Sequence, residues 1–217
     1  MNGPRILLLV LVAAGLLLWM ALSGPRDADL QRGVEQTDAA FAAVDAELAA
    51  LDPDYQALRA QGLLLGLRES RDQVVTRLAE LRSQRLDIVA DKDLDRRQRL
   101  PKLRELAEQS DAMLALALSV HREASALVQF RQQAQPLVVD ARQRRDALAQ
   151  RTPPDDNARH RIEALASSLS EIEQRLQVTE QQIRRNFEQG VALGQGALRD
   201  LRALIDQQTA LAAQLPP

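Results

Sequence analysis

Apolar residues return every three or four positions from Leu30 almost to the end of the chain, and that spacing restricts what this sequence can fold into. Leu30, Val34, Thr37, Phe41, Val44, Leu48 and Leu51 alternate steps of four and three, and the frame runs on through Tyr55 and Leu58, past Pro53. This is a heptad seam, the pattern of helices packed along narrow stripes. A second stretch holds Leu64, Leu67, Val74, Leu78, Leu81 and Ile88, interrupted by Arg71 and Arg85. A third runs from Leu103 to Leu148 and is rich in small residues (Ser110, Ala117, Ala124, Ala134, Ala141), with Arg131 and Arg145 in the same frame. A fourth runs from Ile162 to Ile205 and contains two successive steps of four, Ile183 to Phe187 to Val191, the mark of a stutter in a supercoil. No segment alternates in the manner of a strand.

Two polar stretches interrupt the seams. One extends from Asp91 to Pro101, and the other is Thr152-Pro153-Pro154-Asp155-Asp156, whose carboxylates suit a helix start. The expected fold is therefore all-α: an elongated antiparallel bundle or coiled coil of three long helices running up, down and up. The alternative takes Pro53 as a true break and gives four helices. A hairpin closed between residues 90 and 101 places Pro53 opposite Val138 and Pro136 opposite Tyr55. Both helices are then expected to bend at one height, since proline removes a backbone bond and crowds the preceding turn.

Ahead of these seams lies Ile6–Leu22, an unbroken apolar run. It reaches the lower length limit of a spanning helix, ~17 residues. Trp19 near its outer end suits the membrane interface. Residues 1–26 are expected to be a signal-anchor transmembrane helix. The alternative is a signal peptide cleaved after Ala21-Leu22-Ser23 (residues 1–23). Residues 27–217 form the helical bundle. The expected location is the inner (cytoplasmic) membrane, single-pass, with the bulk of the chain extracytoplasmic or periplasmic.

Composition excludes several chemistries. There is no cysteine, so disulfides, thiol catalysis and thiolate metal sites are ruled out. The net charge is only -2, so no overall field recruits nucleic acid. The basic clusters lack interleaved aromatics on which bases could stack. The two histidines, His121 and His160, do not form H-E-x-x-H. Asp91, Asp93 and Asp95 alternate like a calcium loop, but Arg96 and Lys102 stand where such a loop needs Gly and Glu, so they read as turn and cap carboxylates. Gly194-Gln-Gly196 lacks the third glycine and the preceding strand of a dinucleotide loop. No catalytic, cofactor-binding or metal residues are assigned, and the chain reads as a non-enzyme with no cofactor and no evident small-molecule substrate.

Two groups remain as candidate sites. Gly62 and Gly66, and Gly190 and Gly194, each place two glycines four apart, on one face if helical, where neighbouring helices can approach closely. Arg142, Arg144, Arg145, Arg151, Arg159 and Arg161 gather around the second break. In the up-down-up arrangement that turn comes back toward the anchored end, where it could meet anionic lipid headgroups. The functional expectation is a membrane-tethered helical scaffold or adaptor of an envelope assembly, held to the membrane through Ile6–Leu22 and engaging a protein partner or itself. The alternatives are an extracytoplasmic ligand-sensing bundle, a periplasmic helical chaperone and a membrane-curving module.

Overall fold

The computed structural model describes residues 27–62 and 66–216, and all of its regular structure is helical. The apolar run Ile6–Leu22 lies outside these residues. Among the described residues no helix is long and apolar enough to cross a membrane. They form five helices: α1 Asp27–Ala60, α2 Leu67–Ala90, α3 Arg96–Ala149, α4 Asp156–Arg185 and α5 Phe187–Gln214. The chain divides into two compact units. Unit 1 joins the first half of α1 to α2 and the first part of α3, and unit 2 joins residues 51–67 to the rest of α3, α4 and α5.

The four-helix alternative breaks the chain at the wrong place, and the three-helix reading lacks a break near residue 62. Pro53 sits inside α1, and the chain instead turns at Gly62 and Gly66. Both glycines adopt positive φ, +72° and +91°, a region that costs other residues a Cβ clash. Short bonds from Gln61 N to Leu58 O (3.1 Å) and Gly62 N to Arg59 O (3.0 Å) close the last turn. The two glycines therefore do not share a helix face, and a Cβ at either would meet nothing within 4 Å.

This corner changes the topology. Arg82 and Arg85 of α2 pair with Asp45 and Asp38 of α1, so α2 runs back along α1. Arg77 then reaches Gln109 of α3 at 2.9 Å. Arg96 pairs with Asp27 at 2.6 Å, and the buried Thr37 hydroxyl lies 3.1 Å from the Leu103 carbonyl, so α1 and α3 run parallel. The antiparallel register that set Pro53 opposite Val138 is not formed. Within unit 1, the α2–α3 turn lies beside the start of α1. The core of unit 1 is Phe41, Val44, Val74, Leu78, Leu81, Leu106 and Ala117, drawn from the seams of all three helices.

The two polar breaks occur where the sequence places them, between Ala90 and Arg96 and between Ala149 and Asp156. The first is shorter than expected, because Asp95 starts α3 ahead of Pro101. Its Oδ1 accepts from Gln98 N (2.8 Å), and its own N–H donates to Gln98 Oε1 (3.1 Å), a reciprocal capping box. Asp155 caps α4 through Ala158 N at 2.7 Å.

In unit 2, Arg131 with Glu180 and Arg142 with Glu173 set α4 antiparallel to α3. Arg144 with Thr209 sets α5 parallel to α3. The expected stutter is a helix corner. Asn186 alone separates α4 from α5: its N–H donates to Gln182 O (2.8 Å), and its side chain accepts from Gln189 N (3.3 Å). So tight a reversal needs Gly190, where a Cβ would stand 2.3 Å from Ile183 N. Gly194, one turn on, lies against the Phe130 ring and Thr179. Leu148, Ala158, Leu211 and Leu215 close the end of the unit at the α3–α4 loop.

Candidate functional site

Unit 2 carries an open groove of about 600 Å3 between α3 and α4. Its position follows from heptad geometry. Arg131, Ala134, Val138 and Arg142 lie along one side of α3, and Glu173, Leu176 and Glu180 lie along the facing side of α4. The floor is apolar: Ala134 and Leu176 are buried, Val138 is half-buried, and Val139 on the rim stands 46% exposed. Gln135 and Gln177 add exposed amides.

An ion pair closes each end. Arg131 binds Glu180 through two bonds, Nε to Oε1 at 2.7 Å and Nη2 to Oε2 at 3.0 Å, and its Nη1 donates to Gln61 at 3.0 Å. Arg142 meets Glu173 at 2.7 Å. Arg142 lies eleven positions after Arg131 on the helix, so the floor between them is ~16 Å long. The hydrogen bond from Arg142 to Glu173, with the charge of that carboxylate, raises the guanidinium above its ordinary pKa. Both pairs are formed before anything binds, and they fix long side chains that would otherwise lose rotamer freedom on docking. The groove thus offers an apolar strip with amides beside it and charged ends.

Sequence reasoning missed this site. Arg131 appears there only as a charged residue in an apolar seam. The signal was that interruption, since a charge at a seam position needs a partner on the facing helix. Arg85 behaves likewise in unit 1, pairing with Asp38 at 2.5 Å.

The six candidate arginines are not brought to one face. Arg142 points to α4, while Arg144 binds Asp140 (2.9 Å) and Thr209 of α5 (2.7 Å). Arg145 pairs with Asp146 at 2.7 Å, and Arg159 with Asp156 at 3.3 Å. Arg161 donates to Gln214 at 3.1 Å. Arg151 caps the end of α5, donating to the carbonyls of Ala212 and Leu215. Arg142, Arg144, Arg151 and Arg161 thus tie elements of unit 2 together, while Arg145 and Arg159 make local pairs on their own helices.

Asp91 accepts from Asp93 N (2.9 Å) and Asp95 caps α3. Among the described residues no group of three or more His, Cys, Asp or Glu could hold a metal ion. His160 is exposed beside Glu163 at 3.7 Å, and His121 is half-buried. No protein-family model, curated protein or solved structure matches the chain.

Proposed function

We propose that this chain is a single-pass, membrane-tethered helical adaptor of an envelope assembly, non-catalytic, which engages a protein partner through the α3–α4 groove of unit 2. The observation that carries the reading is the groove itself: an apolar floor bounded by two preformed ion pairs. The length of the apolar run Ile6–Leu22 supports the tether, with the rest of the chain on the extracytoplasmic side in this reading. The heptad seams favour a partner over self-association, because their largest side chains, Leu51, Leu58, Leu81, Leu103, Leu127 and Leu201, are already buried within the chain.

The test is in-cell photocrosslinking of the full-length protein from a probe at Val139, followed by mass spectrometry of the linked product and of the mature N-terminus. A recurrent envelope protein, with residues before Ser23 retained, is the expected result. A chain starting at Gly24, or links only between copies, replaces the adaptor with a periplasmic chaperone or a self-assembling rod. A second reading, a ligand-sensing bundle, is favoured by the groove's volume, which falls within the ~300–1,000 Å3 of small-molecule sites. A saturable thermal shift with one compound, abolished by Leu176→Trp, would select it.

A further inference from the structure

The parallel course of α1 and α3 identifies the part of unit 1 that follows the anchor most closely. Asp27 is separated from Leu22 by four residues, five Cα steps with a reach of at most ~18 Å. Asp27 is bonded to Arg96, and nearly two turns further along α1 a Cβ at Gly33 would lie 3.0 Å from Leu100. The α2–α3 turn and the first turns of α3 therefore sit beside the first turns of α1.

The charges at this corner are unequally engaged. Asp27 is paired with Arg96, Asp91 accepts from Asp93 N, and Asp95 is bound in the capping box. Arg99 donates to the Asp91 carbonyl. Lys92, Lys102 and Arg104 are exposed, and none has a hydrogen-bond or ion-pair partner among the described residues. Asp93 adjoins Lys92 and Glu105 adjoins Arg104, so each of these cations is partly offset, and Lys102, with no acidic neighbour in sequence, is the least offset of the three.

We propose that the α2–α3 corner of unit 1 rests on the membrane surface, with Lys102 and Arg104, joined by Lys92, contacting anionic lipid headgroups. The inference rests on the reading of Ile6–Leu22 as a membrane anchor. Basic side chains within about a Debye length, ~8 Å at physiological salt, of an anionic leaflet are drawn to it. The short link keeps the start of α1 within ~18 Å of the end of the apolar run, so this corner can settle onto the leaflet without a broad basic face.

The absence of cysteine makes the test clean. Full-length protein carrying Lys92→Cys, Lys102→Cys or Val75→Cys is labelled with a fluorophore and reconstituted into vesicles of phosphatidylglycerol and phosphatidylcholine bearing a headgroup quencher. Val75 lies on α2 fifteen residues before Ala90, ~22 Å further along that helix. The expected result is flotation with the vesicles and severalfold stronger quenching at positions 92 and 102 than at 75. The excess at position 92 falls when Lys102→Gln and Arg104→Gln are added, or when phosphatidylcholine is used alone. Equal or stronger quenching at 75 in vesicle-bound protein overturns the corner contact and leaves the anchor standing. Quenching that ignores both the glutamine substitutions and the lipid charge overturns the headgroup assignment. Failure to float overturns the anchor and this inference together.

Discussion

Three glycines of α5 differ by what a side chain would strike. At Gly190 a Cβ would press on the Ile183 backbone, which cannot move without opening the Asn186 corner. At Gly194 it would meet the Phe130 ring and the Thr179 methyl at 3.1 Å, and at Gly196 nothing within 4 Å. Gly190→Ala is therefore expected to cost about 3 kcal/mol, the upper end for overpacking. Gly194→Ala costs less, and Gly196→Ala stabilises by up to ~1 kcal/mol through helix propensity. Urea melts of the three variants give this order, and a mild Gly190→Ala would mean that the corner is loose. Gln208 presents a different imbalance. It is fully buried, its Nε2 donates to the Ala141 carbonyl at 3.2 Å, and its Oε1 has no partner. Gln208→Met keeps the volume and removes the orphaned oxygen, so a gain of about 1 kcal/mol is expected in thermal melts. Burial raises the Glu123 pKa, with the Ser119 hydroxyl opposing in part. A carboxyl whose folded pKa is raised contributes stability below its ordinary range and loses it as pH rises through the folded value. Glu123→Gln should thus be more stable than the parent near neutrality, within the ~0.5 kcal/mol usual off the core. The difference should shrink as the parent carboxyl protonates on acidification, and a pH-independent difference would assign it to packing. None of these residues was conspicuous in the sequence except the glycines. Gln208 and Glu123 acquire their character from neighbours on other helices.

At the scale of the elements, the seams were legible and the corners only partly so. Phe41, Val44, Leu78, Leu81, Leu103, Leu127 and Leu201 fall on the predicted stripes and are buried. The corners at Asp91–Asp95 and Thr152–Asp155 announce themselves by proline and clustered carboxylates, chemistry that competes locally with the helix. The other two do not. Gly62 and Gly66 make a turn through positive φ, yet four-residue spacing also fits two glycines on one helix. Asn186 interrupts nothing in the heptad count, because a one-residue corner shifts the frame no more than a stutter does. Pro53 breaks the chain only in the four-helix alternative; the seam's continuation past it was the correct signal. A proline within a helix is expensive, but α1 continues through it, with Leu51, Tyr55 and Leu58 buried on either side. The groove site was hidden for a related reason: a clamp between helices cannot be seen until their register is known. Arg131 ties α3 to α4 and to Gln61 at the end of α1, with side chains of Arg131 and Glu180 only 30% and 21% exposed. Arg131→Ala is expected to destabilise unit 2 by about 1 kcal/mol, reduced from a buried value by solvent screening. Arg131→Met with Glu180→Gln should recover most of that loss, because no charge is left unpaired. Amide exchange at Tyr55–Gln61 should quicken in Arg131→Ala. Unchanged exchange there would show that the end of α1 is held by its apolar contacts alone.

The molecule as a whole was read as helical and tethered, and the step from three helices to five alters what it can offer a partner. Three long helices with open seams would have apolar stripes to share with a second copy. The two hairpin corners fold those stripes inward instead. The large apolar side chains left exposed, among them Val75, Leu86, Val139, Val178 and Leu193, are spread over four helices. Isolated exposed apolar residues of this kind are normal for a monomer and do not form an association surface. Residues 27–217 released from the apolar run are therefore expected to sediment as a monomer at micromolar concentration. If the seams were shared between chains, a concentration-dependent dimer would appear instead, and Leu81→Ala and Leu201→Ala would weaken it in parallel with the fold. With the seams closed, those substitutions lower stability by about 2–5 kcal/mol, as buried leucines do, and leave the sedimentation coefficient of the folded fraction unchanged. The same experiment separates the two ways an adaptor could work. A monomer leaves partner binding to a local feature such as the α3–α4 groove, and Val139→Asp should then abolish the crosslink made from elsewhere on the chain without altering either the melt or the monomeric state.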